Sequence, residues 1–348
     1  MFAATQQVYR VTKPKGYQHV KVFTEELPKH LEKHEVLVKI NAVTLNYRDI
    51  AVANGTYPAP TIDQVIPGSD AAGKIVKVGS QVKDFKVGDR VVNLFDPTNI
   101  YGPKMAVDSS HGSSIQGVLS QYKVFSDHEI LKLPSDSHLT DAEAAALVCA
   151  GCTAWNCLFG SAERFIAGQT VLFLGTGGVS ITGLILAKAA GAVTIITSSS
   201  DDKLKYVKEK YGVDHCVNYH THPDWEKEVI KATNGEGVDF VVENGGSGTI
   251  AKSLASVKQG GTISLVGFLS QATEIPDITI LTMVKGATIR GIQVGSKQLF
   301  EELLRFVHAK KLRMPIEFEY GFSEEQVHSA YKRLESQTLA GKIVINVD

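Results

Sequence analysis

Between Val171 and Ala192 the chain reads VLFLGTGGVSITGLILAKAAGA, an apolar run, a glycine-rich turn and an apolar-periodic stretch that ends in glycine. That order dictates a buried strand, a tight turn and a helix. Gly175 lets the chain turn sharply off the strand. Gly177 lets backbone approach an anion seated on the helix N-terminus, where free N–H groups and the helix dipole favour negative charge. The pattern is the pyrophosphate loop of a dinucleotide-binding βαβ unit, with Gly175, Thr176, Gly177, Gly178 and Val179 around the phosphates. Ser180 stands where a third glycine would draw helix and strand together, so the two are expected to pack further apart there. The plainer alternative is a strand-to-helix turn that uses glycine for its geometry alone.

Composition narrows the setting. A chain of 348 residues is long enough for two domains, each with its own core. The 36 Lys and Arg nearly cancel the 37 Asp and Glu, which leaves no electrostatic footprint for nucleic acid or an anionic membrane. The first residues, MFAATQQVYRVTK, hold no apolar core of signal-peptide length, so a cytoplasmic protein with no membrane partner is expected. Cys149, Cys152, Cys157 and Cys216 are too few for a disulfide framework. Cys149 and Cys152 have the spacing of half a zinc site or a redox pair, but no second pair follows, and AALVCAGCTAWNCLF reads as a buried helix in which thiols act as small hydrophobes.

Two textures follow one another along the chain. Up to about Asp127 short strands such as VLVKI (36–40) and AGKIVKV (72–78) are broken by Gly and Pro, which implies an antiparallel, barrel-like domain. Asp96 to Ser120 has no periodicity and is expected to be an irregular surface loop, of the kind that covers a cleft. Thr140 and Glu143 then form a capping box, and strands at 193–197, 216–218, 238–243, 262–266 and 288–294 alternate with helices. This implies a doubly wound parallel sheet. An amphipathic helix at 297–309 and a final alternating strand, GKIVINV, return the chain to the first domain. The expected division is 1–130 with 308–348 for the β-rich domain and 131–307 for the inserted dinucleotide-binding domain.

The order of motifs resembles the medium-chain dehydrogenase/reductase superfamily over essentially the whole chain. The residues that carry it are Asn46-Tyr47-Arg48-Asp49, Gly55-Thr56-Tyr57-Pro58, residues 67–73 (PGSDAAG), residues 87–91 (VGDRV), the loop Gly175 to Ser180, and Gly341-Lys342-Ile343-Val344. The resemblance implies an α/β fold, a Rossmann sheet inserted in a GroES-like domain. Zinc-dependent members carry Cys where this chain has Asn46 and a His-Glu pair where it has Ser69-Asp70, and no cysteine precedes Cys149 to build a structural zinc lobe. The chain therefore resembles the zinc-lacking, quinone-oxidoreductase-like branch, which implies no metal site.

NAD-binding units usually end the second strand with an acid that holds the ribose 2′-hydroxyl. Here that strand runs into Ser198-Ser199-Ser200, and Lys203 follows. Hydroxyls and a cation accept a 2′-phosphate, so NADP(H) is the expected cofactor, although Asp201 and Asp202 lie only a few residues on. The resemblance adds Tyr219 at the adenosine phosphate, Gly245 and the run Gly267-Phe268-Leu269 beside the nicotinamide and its ribose, and Lys342 among the cofactor-side residues. It also matches Tyr57 to a tyrosine that protonates or orients substrate in related enoyl reductases.

Asn46 is the second catalytic candidate, an amide donor to substrate or ribose, and the same residue reads as the N-cap of a helix beginning at Tyr47. Arg48 and Asp49 read as a structural pair or as helix surface rather than as chemistry. The expected activity is hydride transfer to a quinone or small conjugated carbonyl compound. The alternatives are a zinc-independent alcohol dehydrogenase or carbonyl reductase, and a protein that binds NADPH with little turnover. The β-rich segment at 288–294 is expected at a sheet edge, where two copies would pair into a homodimer.

Overall fold

The computed structural model describes residues 4–102, 108–338 and 340–347. They divide into two units, Met1–Ala150 with Ser296–Asp348, and Gly151–Gly295. The first unit opens with β1 (Thr5–Val11), β2 (Val20–Glu26), β3 (Glu35–Leu45), α1 (Tyr47–Asn54), β4 (Asp70–Val78), β5 (Arg90–Asn93), β6 (Tyr122–Ser126), β7 (Ile130–Lys132) and α2 (Asp141–Ala145). The second contains α3 (Cys152–Phe159), β8 (Thr170–Phe173), α4 (Gly178–Ala189), β9 (Val193–Ser198), α5 (Asp201–Tyr211), β10 (His215–Asn218), α6 (Trp225–Ala232), β11 (Val238–Glu243), α7 (Ile250–Ser256), β12 (Val257–Leu265), α8 (Ile278–Lys285) and β13 (Thr288–Gly291). The chain then re-enters the first unit with α9 (Lys297–Lys310), β14 (Ile316–Tyr320), α10 (Glu324–Glu335) and β15 (Lys342–Asn346).

The β-rich unit is built on a sheet ordered β14-β15-β3-β4-β5-β7, with β6 also on β3 and a separate β1-β2 ribbon. Apart from the parallel pair β14 and β15, its ladders are antiparallel. Its core gathers Tyr9, Ile40, Leu45, Ile75, Phe125, Tyr331 and Ile345. The register sets Thr44 opposite Asp70 and Ile343 opposite Leu45, so the ends of β3, β4 and β15 lie side by side.

The unit is larger than 1–130 with 308–348. The change of texture after Leu139 marks where helices begin, while α2 remains bonded to the strands: Asp141 accepts from Asn41 at 2.8 Å and from Arg90 at 2.6 Å. Glu143 accepts from Arg313 Nε at 2.6 Å and from the Met314 N–H at 3.0 Å, tying α2 to the returning chain. The segment 96–120 also departs from a surface loop. Residues 103–107 lie outside the described residues, but Ser110, His111, Ser113, Val118, Leu119 and Ser120 are buried. Gly117 runs so close to the 66–68 backbone that a Cβ there would stand 2.3 Å from two carbonyl oxygens. Sequence texture did not reveal this burial, because the anchors are distant backbone and side-chain partners.

The second unit is a six-stranded parallel sheet in the order β10-β9-β8-β11-β12-β13, a doubly wound Rossmann arrangement. Strand β13 stops at Gly291, short of the expected Val294, whose φ of 52° leaves the extended region. The apolar stretch Asp141–Phe159 is long enough to span a bilayer, but 78% of it is buried in the protein, as in a core helix. Ser180 does not mark the closest helix–strand approach. Gly183 does, one turn on, where an added Cβ would lie 2.6 Å from the Phe173 ring. Overpacking of this kind costs about 1–3 kcal/mol, so Gly183→Val is expected to lower the thermal midpoint of the protein by several degrees in a calorimetric or circular-dichroism melt.

Candidate functional site

The candidate nucleotide site lies wholly in the second unit. Gly175 has a φ of 74°, which favours glycine, and no atom within 4 Å of where a Cβ would be. Gly177, the N-cap of α4, is equally open, so an incoming phosphate meets backbone N–H groups with no side chain in the way. The loop is held from behind. Thr197 Oγ1 accepts from the Gly175 N–H at 3.2 Å, and Ser180 Oγ donates to the Leu174 carbonyl at 2.8 Å while accepting from Asn244 Nδ2 at 2.8 Å. The serine in the third-glycine position is thus a fastening between β8, α4 and the β11 loop.

Strand β9 ends at Ser198, which is buried, and Ser199 is half-buried. Ser200 caps α5 by accepting from the Lys203 N–H at 3.4 Å. Asp201 and Asp202 fall in the first turn of α5, where they complement the helix dipole, and Asp201 accepts from Asn218 Nδ2 at 2.8 Å. Neither acid terminates β9. Partial burial lowers the Lys203 pKa, and Tyr219, whose N–H donates to the Ser198 carbonyl, leaves its ring exposed beside the serines.

One residue of this site escaped sequence reasoning. Glu243, fully buried at the end of β11, accepts from the N–H groups of Gly245 and Gly246 at 2.7 and 3.0 Å, from Thr249 Oγ1 at 2.6 Å, and from Ser253 Oγ. It fixes the loop that carries Gly245. Its signal was an acid closing an otherwise apolar strand, followed by two glycines. At Gly267 a Cβ would stand 2.2 Å from the Asn244 carbonyl, so glycine is required there, and Phe268 and Leu269 follow it with exposed side chains.

A separate polar cluster lies in the β-rich unit. Asn46 precedes α1, and its backbone N–H is capped by Asp49 Oδ2 at 2.7 Å. Its side chain turns elsewhere: Nδ2 donates to Asp70 Oδ2 at 2.9 Å and Oδ1 accepts from Lys342 Nζ at 2.6 Å. Lys342, 2% exposed, also donates to the Leu45 carbonyl at 2.8 Å and lies 3.6 Å from Asp70 Oδ2. Its ammonium is spent inside this unit rather than presented to a cofactor as the resemblance implied. Asp70, fully buried, further accepts from Ser69 Oγ at 2.6 Å and Thr44 Oγ1 at 3.2 Å. Cys149 joins this group, and burial, with Asp70 adding to it, pushes its thiol up to about 12.

Arg48 is the second organiser, and it is no surface residue. Its guanidinium lies between the Tyr57 and Phe95 rings, 4.9 Å from each centroid. It donates to the His111 carbonyl at 2.9 Å and Ser113 Oγ at 2.7 Å, and its Nε stands 3.4 Å from the Tyr57 hydroxyl. Asp49 Oδ1 is 3.6 Å from Arg48, and burial raises the Asp49 carboxyl to about 6 against the pull of that cation. Tyr57 and Asn46 thus each sit in a polar cluster, and sequence reasoning missed the contacts of Arg48 with Tyr57 and of Lys342 with Asn46.

Residues 32–135 match the alcohol dehydrogenase GroES-like domain family, and residues 178–309 match the zinc-binding dehydrogenase family. The chain is 39% identical to a zinc-type alcohol dehydrogenase-like protein of Schizosaccharomyces pombe, covering 96% of each chain. It is 28% identical to a quinone oxidoreductase of Lama guanicoe over 90% of this chain and 89% of that one. A crystal structure of an NAD-dependent alcohol dehydrogenase superposes with a TM-score of 0.86 at 28% identity, covering 98% of this chain and all of the other. The chain belongs to the medium-chain dehydrogenase/reductase superfamily and is an oxidoreductase of that class.

Members of this class bind a nicotinamide nucleotide, and the open glycine loop with its donor-rich helix start fits one. A catalytic zinc fits less well. The positions where zinc-dependent members carry Cys and His are occupied by Asn46, whose amide is engaged at both ends, and by Ser69, which donates to Asp70, and burial raises the pKa of the neighbouring Cys149 thiol. The Lys342 ammonium beside them would repel a divalent cation. Among the described residues no group of three or more His, Cys, Asp or Glu side chains is arranged around a metal site.

His111 supplies a pH prediction. Its Nδ1 donates to the Gln116 carbonyl at 3.0 Å, and burial, with Lys123 adding to it, lowers its pKa from 6.5 to about 3. Between those values the unfolded chain binds the proton and the native one does not, so stability falls as pH falls through this window. His111→Asn is expected to flatten that slope by about one proton, ~1.4 kcal/mol per pH unit at most, in denaturant melts from pH 6.5 to 4. An unchanged slope would show that His111 is not kept neutral by the fold.

Proposed function

We propose that this protein is a zinc-independent, NADPH-dependent reductase that delivers hydride to a quinone or a small α,β-unsaturated carbonyl compound. The observation that carries the reading is the Lys342 ammonium seated among Asn46, Asp70 and Cys149, where zinc-dependent relatives would place their ligands. The preference for NADPH is supported by a β9 that ends in Ser198 with Ser199 and Lys203 beyond it and no acid at its tip.

The bound nicotinamide supplies the hydride. The glycine loop would hold its pyrophosphate on the α4 N-terminus, and Ser198, Ser199, Lys203 and Tyr219 would receive the 2′-phosphate. The acceptor's oxygen gains negative charge as hydride arrives, and without a metal it needs hydrogen-bond donors. Asn46 supplies an amide N–H. Tyr57, its ring held by Arg48, orients the substrate and provides a hydroxyl proton within reach of the reacting carbonyl compound.

NADPH oxidation over a panel of a quinone, an enone, an aldehyde and a ketone tests this. Expected are turnover of the quinone and enone, a saturated ketone as the enone product, and a kcat/KM with NADPH at least about tenfold above that with NADH, the scale of one charged contact. An allylic alcohol would favour carbonyl reduction, and equal use of both nucleotides would remove the cofactor assignment.

The same reading includes a homodimer. Strand β13 is the sheet edge, and α8, beside β12, buries none of its residues: Met283 is 68% and Val284 65% exposed. A second copy pairing edge to edge would cover this apolar face. Sedimentation is expected to give a dimer for the native chain and a monomer for Met283→Lys/Val284→Lys. A native monomer would overturn the assignment.

A further inference from the structure

We infer that Lys342 is a positioning residue that polarises Asn46, making the amide the electrophilic donor in place of a metal ion. The inference rests on the reductase reading above. An amide at a site like this is ordinarily free to flip, since its oxygen and nitrogen have nearly the same shape. Here it is not. Lys342 Nζ only donates and holds Oδ1 at 2.6 Å, while Asp70, ringed by donors, only accepts and holds Nδ2 at 2.9 Å. One orientation satisfies both.

That orientation leaves the second Nδ2 hydrogen without an acceptor among the described residues, on a side chain that is half-buried where its two partners are fully enclosed. A cation donating to the oxygen of an amide draws electron density toward it and makes the N–H a stronger donor, as linked hydrogen bonds polarise one another. The ammonium is near enough to matter, and enclosed enough that water does not screen it. Lys342 therefore acts through Asn46, and substrate oxygen meets the amide rather than the ammonium.

Thr44, Ser69, Asp49 and Arg48 complete the surroundings. Thr44 and Ser69 donate to Asp70, so the carboxylate keeps its place when the ammonium is changed. The Asp49 carboxylate accepts from the Asn46 backbone N–H, so its charge does not compete for Nδ2. Removing Lys342 alone would leave a buried unpaired carboxylate, and the chain could fail to fold for that reason. The pair Lys342→Met/Asp70→Asn removes both charges and keeps an acceptor for Nδ2.

The test has two readouts. In the first, kcat for enone reduction by the double variant is expected to fall about 10- to 100-fold, less than the ~10²- to 10³-fold lost when an oxyanion donor is removed outright, with KM and the NADPH Kd little changed. Lys342→Arg, which keeps a cation, is expected to recover most of the rate. In the second, 4-(dimethylamino)cinnamaldehyde is added with NADP⁺, so no hydride can move. Its absorption shifts to the red when its carbonyl accepts a strong hydrogen bond, and that shift should appear in the native protein and vanish in the double variant. An undiminished kcat, or a red shift that survives the double substitution or is absent from the native protein, would overturn the inference while leaving the reductase reading intact. Absence of turnover over the whole panel would remove the reductase reading, and the dye shift would then decide the role of Lys342 by itself.

Discussion

The Lys342 ammonium and the Asp70 carboxylate, both enclosed in the β-rich unit, are the interaction on which its polar site depends. Each ion taken out of water costs several kcal/mol, and an unpaired one would be untenable there. They are tolerated because the sheet register brings the ends of β3, β4 and β15 together and supplies every partner they need: the Leu45 carbonyl and Asn46 amide for the cation, and Thr44, Ser69 and Asn46 for the anion. A one-residue slip in any of these strands would turn alternate side chains to the other face and strand one of the charges. The register and the site are therefore the same constraint seen at two scales.

Around Arg48 a similar logic operates with more distant pieces. One guanidinium has five N–H donors in a fixed plane, and here they reach the Tyr57 hydroxyl, the His111 carbonyl and the Ser113 hydroxyl, while helix α1's own Asp49 lies 3.6 Å away as a counter-charge. Because it packs over both the Tyr57 and Phe95 rings and bonds residues 111 and 113, the same group sets where the tyrosine hydroxyl lies and draws an irregular segment into the interior. His111 pays for its burial by giving up its charge, and its lone protonated nitrogen serves the Gln116 carbonyl. Rigid support of this kind lets a tyrosine in a turn be aimed as if it stood on a strand.

The nucleotide-binding unit achieves its geometry with backbone. Gly175, Gly177 and Gly267 keep side chains away from the ends of the strands, while Thr197, Ser180, Asn244 and Glu243 take up the polar groups that such exposed loops leave behind. The result is an open loop at the α4 N-terminus, braced from beneath by side chains, where the first N–H groups of a helix offer donors to a pyrophosphate.

The sequence by itself determined the parts that depend on neighbours along the chain. The strand-glycine-helix run, the alternation of strands and helices after α2, the Thr140 capping box and the serines at the end of β9 are local patterns, and period and turn chemistry write them directly into the residue order. Membership of the dehydrogenase superfamily was legible for the same reason, as an ordered set of short motifs. Tertiary structure alone decided what distant residues do to one another. Lys342 and Asn46 are nearly the whole chain apart, Arg48 meets Ser113 across 65 positions, and the close contact at Gly183 depends on a ring in the preceding strand. No periodicity encodes such pairs, because a charge or a ring finds its partner through the register and packing of the folded sheet, and only there does an apparent surface arginine or a terminal lysine acquire its place in the site.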